Sequence, residues 1–537
     1  MSAKSISAKP ERVFLYDTTL RDGAQTRGVD FSVKDKATIA GWLDELGIDY
    51  IEGGWPGANP TDDAFFAAPP SLNHARLAAF GMTRKPKNDA ADDAGLQAVL
   101  GASAPAVCLV GKTWDFHVTE ALGVTLEENL DLIATSLAEA VRQGKEVLFD
   151  AEHFFDGTKA NPAYALACLK AALESGARWL VLCDTNGGTL PHEVESIVRA
   201  IAAVLPADRL GFHGHNDTGN AVANSLAAVR AGCRMVQGTL NGLGERCGNA
   251  DLITLIPTLM KKMGFDVGIS DQALRDLTHL SRAFYALLDR DPAASAPYVG
   301  AAAFAHKGGL HASAVAKSPC LYEHIDPAVV GNSREILMSN QAGQANVRAQ
   351  LQALNIDVAN DDPHLPALLA SVKQREHEGY AYDRAAGSFA VLALRQLGRL
   401  IEPFVLKDFA AQEQGNFNNG GVFQMNSKAK VTLKIGVFET VSEAEGNGPV
   451  NALDGALRKA LLTHFPELAS VTLTDYHVRI LDTGAATGAK TRVLLESEDS
   501  TSKTSWMTVG VSTDVIAASL QALLDSYVFR LSRAAGE

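Results

Sequence analysis

The chain has 537 residues, 47% hydrophobic and 20% charged, with a formal net charge of −14. Such a length suggests about two to four domains, and the composition can bury large cores, which excludes a disordered chain. The acidic balance argues against nucleic acid or an anionic membrane as main partner, so an anionic substrate needs local positive charge or a metal.

Met1 to Pro10 is a small polar tail without the apolar core of a signal peptide. No apolar run approaches the roughly 20 residues of a membrane span. Six cysteines occur, at 108, 168, 183, 233, 247 and 320, none in Cys-x-x-Cys. Cys108 and Cys183 lie inside apolar strands, and the set reads as buried thiols of a reducing compartment, the cytoplasm.

From Val13 to about Gly264 strand and helix patterns alternate. Apolar strand cores are expected at Val13-Tyr16, Tyr50-Ile51, Leu77-Phe80, Ala106-Val110, Glu146-Phe149, Trp179-Cys183, Arg209-Phe212 and Arg234-Gln237. Ser32 can cap a helix carrying Ile39, Trp42, Leu43 and Leu46 on one face, and Gly47 ends it. Eight such units over about 250 residues predict a (β/α)8 barrel. A doubly wound open sheet would carry a glycine-rich phosphate turn after its first strand. Here that strand runs into Asp17-Thr-Thr-Leu-Arg21-Asp22-Gly23.

From Ser270 to about Lys407 the pattern is mostly helical, with Leu365, Leu368, Leu369 and Val372 as one stripe stopped by Gly379. Within it lies a glycine-rich loop with two histidines, Ala303-Phe-Ala-His306-Lys307-Gly-Gly-Leu-His311-Ala-Ser313. Gln412 to Ser427, with Asn418-Asn419-Gly420-Gly421, reads as a polar linker. Beyond Lys428, Val431, Leu433, Ile435 and Val437 alternate as a strand, and Pro449 opens a helix. Further strands are expected near Tyr476–Ile480, Val493–Leu495 and Met507–Val511, then a last helix. The boundaries are thus a barrel at 1–270, a helical linker region at 271–427 and a C-terminal α+β module at 428–537. That module lacks an acid–base cluster, which suits binding or oligomerisation.

The chemistry gathers at the strand ends. His213-Gly-His215 closes the seventh strand, where i and i+2 face the same side, so both imidazoles can reach one cation. Arg21 and Asp22 follow the first strand, Glu152 the fifth, Asp184-Thr185-Asn186 the sixth and Asn241-to-Asn249 the eighth. All βα loops of a barrel open on one face. Singly, each has a plain structural reading: Arg21 paired with Asp22, Glu152 a loop carboxylate, Asn249 a helix cap. Five together on one face favour a site. Asp22, His213 and His215 form a mixed oxygen and nitrogen set with open positions, suited to a catalytic divalent ion. A 2-oxo acid could fill those positions, with Arg21 at the developing oxyanion.

Asp17-Thr-Thr-Leu-Arg21-Asp22-Gly23, His213-Gly-His215-Asn216-Asp217 and Gly242-Leu-Gly-Glu-Arg-Cys-Gly-Asn249 together resemble the barrel metallolyase superfamily. The likeness is to its acyltransferase branch of 2-isopropylmalate, homocitrate and citramalate synthases, and it covers nearly the whole chain. The Lys428–Arg530 module, with Gly446-x-Gly-Pro449 and Thr508-Val-Gly-Val-Ser512, is similar to the branch's regulatory dimer domain. Glu52-Gly-Gly-Trp55-Pro-Gly-Ala-Asn-Pro60 and Val110-Gly-Lys112-Thr-Trp114-Asp-Phe-His117 look most like the citramalate synthases of that branch. The commoner His-Cys-His is here His-Gly214-His, a position expected to face away from the ligands.

The resemblance implies that pyruvate, acetyl-CoA and water give (R)-citramalate and CoA, on the route to isoleucine. It implies one divalent ion (zinc, manganese or magnesium) held by Asp22, His213, His215 and Asn249, with Arg21 polarising the ketone. Glu152 and Thr185 would contact pyruvate, Tyr322 would lie near the thioester, and His311 would be the base for the acetyl methyl. In the family the His311 loop reaches a neighbouring subunit, so the resemblance implies a homodimer, with isoleucine as an allosteric inhibitor. The alternatives are the same condensation on a larger 2-oxo acid, a hydroxymethylglutaryl-CoA-type lyase, or a regulatory protein with an inactive barrel. Lyases carry a different cysteine loop after the eighth strand and lack the C-terminal module.

Overall fold

The computed structural model describes residues 10–359, 361–417 and 423–534. The tail before Pro10 and the Asn418-Asn419-Gly420-Gly421 run lie outside the described residues. The chain divides into two compact units, one reaching Phe304 and including Pro327–Ser333, the other formed by Ala305–Asp326 and the chain from Arg334 onward.

The first unit is a closed parallel barrel whose strands follow chain order, with β8 pairing back onto β1. The strands are β1 (Phe14–Asp17), β2 (Tyr50–Gly54), β3 (Arg76–Met82), β4 (Ala106–Lys112), β5 (Glu146–Glu152), β6 (Trp179–Asp184), β7 (Leu210–Gly214) and β8 (Met235–Gly238). All eight expected strands are present. Their interior is filled by Tyr16, Phe80, Cys108, Leu148, Trp179 and Met235 among others, a packed core and not a pore. The helix Val33–Leu46 begins with a Ser32–Asp35 capping box and ends at Gly47 in the left-handed region, as its sequence signals predict. Lys36 of that helix pairs inside the protein with Asp62 of the helix Pro60–Ala67 and donates to the Gly53 carbonyl at 3.0 Å. Asp62 also accepts the Trp55 N–H at 2.8 Å. A buried ion pair thereby pins the loop that carries Trp55.

The second unit begins with a short parallel pair, β9 (Ala305–His306) and β10 (Glu335–Ile336). The helices Gln344–Ala353, Leu365–Glu378 and Ala386–Gln396 follow. Leu365, Leu368 and Val372 are buried as expected, and Gly379 stops the helix with φ +117°. Two antiparallel three-stranded sheets complete the unit: β11 (Val405–Phe417), β12 (Phe423–Ile435), β13 (Phe438–Gly446); and β14 (Val471–Ile480), β15 (Thr491–Asp499), β16 (Thr504–Ser512). The helices Pro449–Leu461 and Val515–Ala534 bury Leu453, Leu457, Leu523 and Tyr527 in one core with Val431, Leu433, Val493 and Leu495.

Several expectations need correction. The described part of Gln412–Ser427 is not a linker: it forms the paired ends of β11 and β12, with Gln412 opposite Lys428 and Phe417 opposite Phe423. The boundary expected at Lys428 therefore falls inside a hairpin. Val437 is not a strand residue but an exposed turn residue beside Gly436. Cys247 and Cys320 are exposed, while the other four cysteines are buried and all six are free. No helix among the described residues is long and apolar enough to cross a membrane.

Candidate active site

The turn after β1 is built by its own sequence. Asp17 accepts from the Thr19 N–H and hydroxyl at 2.8 Å each, and the Thr18 carbonyl accepts from the N–H groups of Arg21, Asp22 and Gly23. An aspartate bonding two residues on is a turn former. The turn aims Arg21 and Asp22 inward, with Asp22 2% exposed.

At the end of β7 the two-residue period turns His213 and His215 to the same side. A Cβ at residue 214 would meet the Phe212 ring at 2.7 Å, on the side away from the imidazoles. The loop after β8 continues the pairing: the Asn216 N–H bonds the Gly248 carbonyl, and Asn249 bridges His215. That return requires Gly248, with φ +90° and an added Cβ 2.1 Å from the Gly242 carbonyl oxygen.

These three segments converge. Asp22 Oδ2 lies 3.3 Å from His213 Nε2 and 3.8 Å from His215 Nε2, and the two Nε2 atoms are 3.3 Å apart. The Asn249 amide nitrogen donates to Asp22 Oδ2 at 2.8 Å. Burial pushes the Asp22 carboxyl up, but Arg21 and the imidazoles outweigh it and hold it well below the carboxylate range. Burial and the charge of His213 drive His215 down to about 3, so it is neutral. Burial lowers His213 too, but Asp22 raises it by more.

A carboxylate oxygen and two imidazole nitrogens facing one another, one ring held neutral, fit a divalent cation. Asn249 Oδ1 and His215 Nδ1 are buried without a partner. As a direct ligand Asn249 would have to turn its amide over, bringing that oxygen to the cluster. The residues present thus fit a metal.

Around the cluster lies a cavity of about 260 Å³ lined by Arg21, Trp55, Phe80, Met82, Val110, Lys112, Glu152, Thr185 and Arg246 among others. Arg21 Nε–H donates to Glu52 Oε2 at 2.6 Å, and its guanidinium carbon lies 3.9 Å from the Phe80 ring centroid. Burial pulls the Arg21 pKa down, but Glu52 and Asp22 more than offset it, and the group stays charged. Glu152 forms an ion pair with Lys112. Thr185 Oγ1 accepts the His153 N–H at 2.9 Å, leaving its own hydrogen free to donate. Arg246 ties two neighbouring loops together through Asp217 and the Thr185 carbonyl.

Sequence reasoning missed Glu52, Lys112, Asp150 and Gln237. Glu52 accepts from Tyr16 at 2.8 Å as well as from Arg21, and Gln237 stands 2.8 Å from His213. Their signal was available: polar residues on the inward-facing side of strands at the catalytic end. His311 and Tyr322 belong to the second unit. Their rings meet tilted by 33° with centroids 4.2 Å apart, and both are exposed. His306 and Arg334 both bond the carboxylate of the half-buried Glu323, beside Tyr322 in sequence.

A closed barrel with an acid–imidazole cluster and a charged arginine at its catalytic mouth defines a metal-site barrel enzyme. The family model described as HMGL-like matches residues 12–280. "Homocitrate synthase post-HMGL domain-like" matches 298–379, and "LeuA allosteric (dimerisation) domain" matches 385–529. The chain is 47% identical to the (R)-citramalate synthase of Aquifex aeolicus, over 97% of this chain and 98% of that protein. It is 48% identical to the (R)-citramalate synthase of Geobacter sulfurreducens, over 97% and 98%. Against the 2-isopropylmalate synthase of Methanocaldococcus jannaschii the identity is 30%, over 96% and 94%. The chain belongs to the HMGL-like family and, within it, to the group of the (R)-citramalate synthases.

Proposed function

We propose that the protein condenses acetyl-CoA with pyruvate and hydrolyses the thioester, giving (R)-citramalate and CoA. The observation that carries this is the Asp22–His213–His215 cluster beside a charged Arg21, in a chain 44–48% identical over nearly its full length to five (R)-citramalate synthases. Asp22, His213, His215 and, after turning its amide, Asn249 would hold one divalent ion. When bound, that ion would supply Lewis-acid polarisation of the ketone of a 2-oxo acid.

The remaining steps belong to side chains. Thr185 donates its free hydroxyl hydrogen to the pyruvate carboxylate. His311, brought with Tyr322 from a neighbouring subunit of a dimer, removes a proton from the acetyl methyl. The resulting carbon nucleophile bonds to the ketone carbon, and Arg21 stabilises the alkoxide formed there. The alkoxide takes up a proton, and water then cleaves the thioester to carboxylate and CoA thiol. Glu152, held by Lys112, contacts pyruvate on the cavity wall. The C-terminal module binds isoleucine and lowers the rate, a role consistent with its match to an allosteric domain and requiring different isoleucine affinity in two states.

The test is thiol release from acetyl-CoA with a panel of 2-oxo acids, before and after chelation. The reading expects pyruvate to give the highest kcat/KM, chelator to abolish the rate and millimolar isoleucine to lower it. Preference for 2-oxoisovalerate or 2-oxoglutarate would overturn the substrate, and an unchanged rate with isoleucine would overturn the regulation.

A further inference from the structure

Next to the cluster lies a chain of buried polar groups that the proposed steps do not use, running from His213 to Asp150 on the cavity wall. Gln237, on β8, is wholly buried. Its Oε1 stands 2.8 Å from His213 Nδ1, and its Nε2–H donates to Asp150 Oδ1 at 3.2 Å. Asp150, on β5, is 4% exposed and shares a tight buried group with Cys108 and Glu52.

We propose that Gln237, held in one sense by Asp150, fixes the tautomer of His213 and so presents its Nε2 as a metal donor. The inference rests on the metal site proposed above and goes beyond it, to what makes one ligand ready. An amide oxygen only accepts, so His213 Nδ1 must carry the hydrogen that lies between them. Turned over, the amide would set its oxygen against the Asp150 carboxylate, placing two acceptors in contact in a dry interior, where unpaired polar atoms are costly. Asp150 thus decides which way Gln237 faces, and Gln237 decides which nitrogen of His213 is protonated. The lone pair of the neutral ring then falls on Nε2, the atom 3.3 Å from both Asp22 Oδ2 and His215 Nε2. His215 has no such support, since its Nδ1 is buried without a partner. The two imidazoles of one cluster therefore differ: one is locked and the other is free to choose its tautomer. Gln237 and Asp150 are positioning residues, since neither is among the residues that would hold the ion.

The experiment uses the full chain and Zn²⁺ alone. Zinc affinity is measured by competition with a chromogenic chelator for wild type, Gln237→Leu, Asp150→Asn and the double variant. Groups that orient a ligating histidine change metal affinity by about 10–100-fold, so Gln237→Leu should bind zinc that much more weakly. Asp150→Asn, which lets the amide bond either way round, should lose less. The double variant should be no weaker than Gln237→Leu alone, because Asp150 acts only through Gln237. ¹⁵N-histidine NMR of the zinc-loaded wild type should show the His213 proton on Nδ1, protected from exchange. A His213 proton on Nε2 overturns the proposal even if Gln237→Leu does not fold. So does a folded Gln237→Leu that binds zinc like wild type. Wild type that fails to bind zinc, or any other divalent ion, instead overturns the metal reading beneath it.

Discussion

The Asp22 carboxylate, on the turn after β1, lies 3.3 Å from Nε2 of His213 at the end of β7. With His215 Nε2 equally close to His213, three lone-pair atoms point at one another with few hydrogens to share. Such an arrangement is relieved by a shared cation. Asp22→Asn and His213→Ala are each expected to lose bound metal and to cut kcat/KM by about 10³-fold or more. Metal content of the purified variants and thiol release check this together. A variant that keeps both metal and rate would contradict it.

Arg21 is bound on one side to Glu52 and stacked on Phe80, with Glu52 0% exposed. Removing the guanidinium strands a buried carboxylate, which costs about 3–5 kcal/mol. Arg21→Ala should therefore be both inactive and less stable. Adding Glu52→Gln should recover most of the stability, since the charge left behind is removed, and none of the activity. Urea unfolding of the two variants separates these outcomes.

The barrel was legible because its strands are apolar runs buried on both sides, as at Ala106–Leu109 and Trp179–Cys183. The meeting of Asp22, His213 and His215 was legible because His-x-His at a strand end leaves few placements for two imidazoles. The β11–β12 hairpin was not. Its far ends run past the core, so Gln412, Glu413, Gln414 and Gly415 are exposed and carry no apolar alternation to read. Glu52, Asp150 and Gln237 escaped notice for the opposite reason. They sit within apolar strand ends, and their roles depend on partners from other strands: Arg21 and Tyr16 for Glu52, His213 for Gln237.

Trp55 is aimed by the buried Lys36–Asp62 pair, and its ring meets Phe80 edge-on at 5.3 Å. Together they close one wall of a cavity of about 260 Å³. Trp55→Ala removes that wall without touching the cluster. It should raise kcat/KM for 2-oxoisovalerate relative to pyruvate by about 10-fold or more, in line with the 1–3 kcal/mol attached to each methylene. A ratio unchanged in the 2-oxo acid panel would show that the wall does not set size.

In the C-terminal unit, burial pushes the Asp525 carboxyl up to about 6, against the hydrogen bond from Ser388 and the charges of Arg395 and Arg375. An unfolded aspartate titrates near about 3.9. Between those values the folded chain binds more protons than the unfolded one, so stability falls as pH rises through the window. The penalty is complete above about pH 6 and vanishes below about pH 4. Asp525→Asn should stabilise by about 3 kcal/mol at pH 8, and by about half that at pH 5. Equal gains at the two pH values would assign the effect to packing.

The paired rings of His311 and Tyr322 stand exposed on the second unit, with Leu310 83% and Leu321 59% exposed beside them. An apolar fringe around a base fits a segment that docks on another surface, and under the proposed mechanism that surface is the barrel of a second subunit. His311→Ala and Arg21→Gln should each be inactive as separate proteins. Mixed and re-equilibrated, one of the two sites in a mixed dimer regains both groups, so about half the dimers recover one wild-type site, and the mixture approaches a quarter of wild-type activity. Mass spectrometry of the mixture confirms that mixed dimers form. Mixed dimers that remain inactive would place His311 in the barrel of its own chain or outside the reaction.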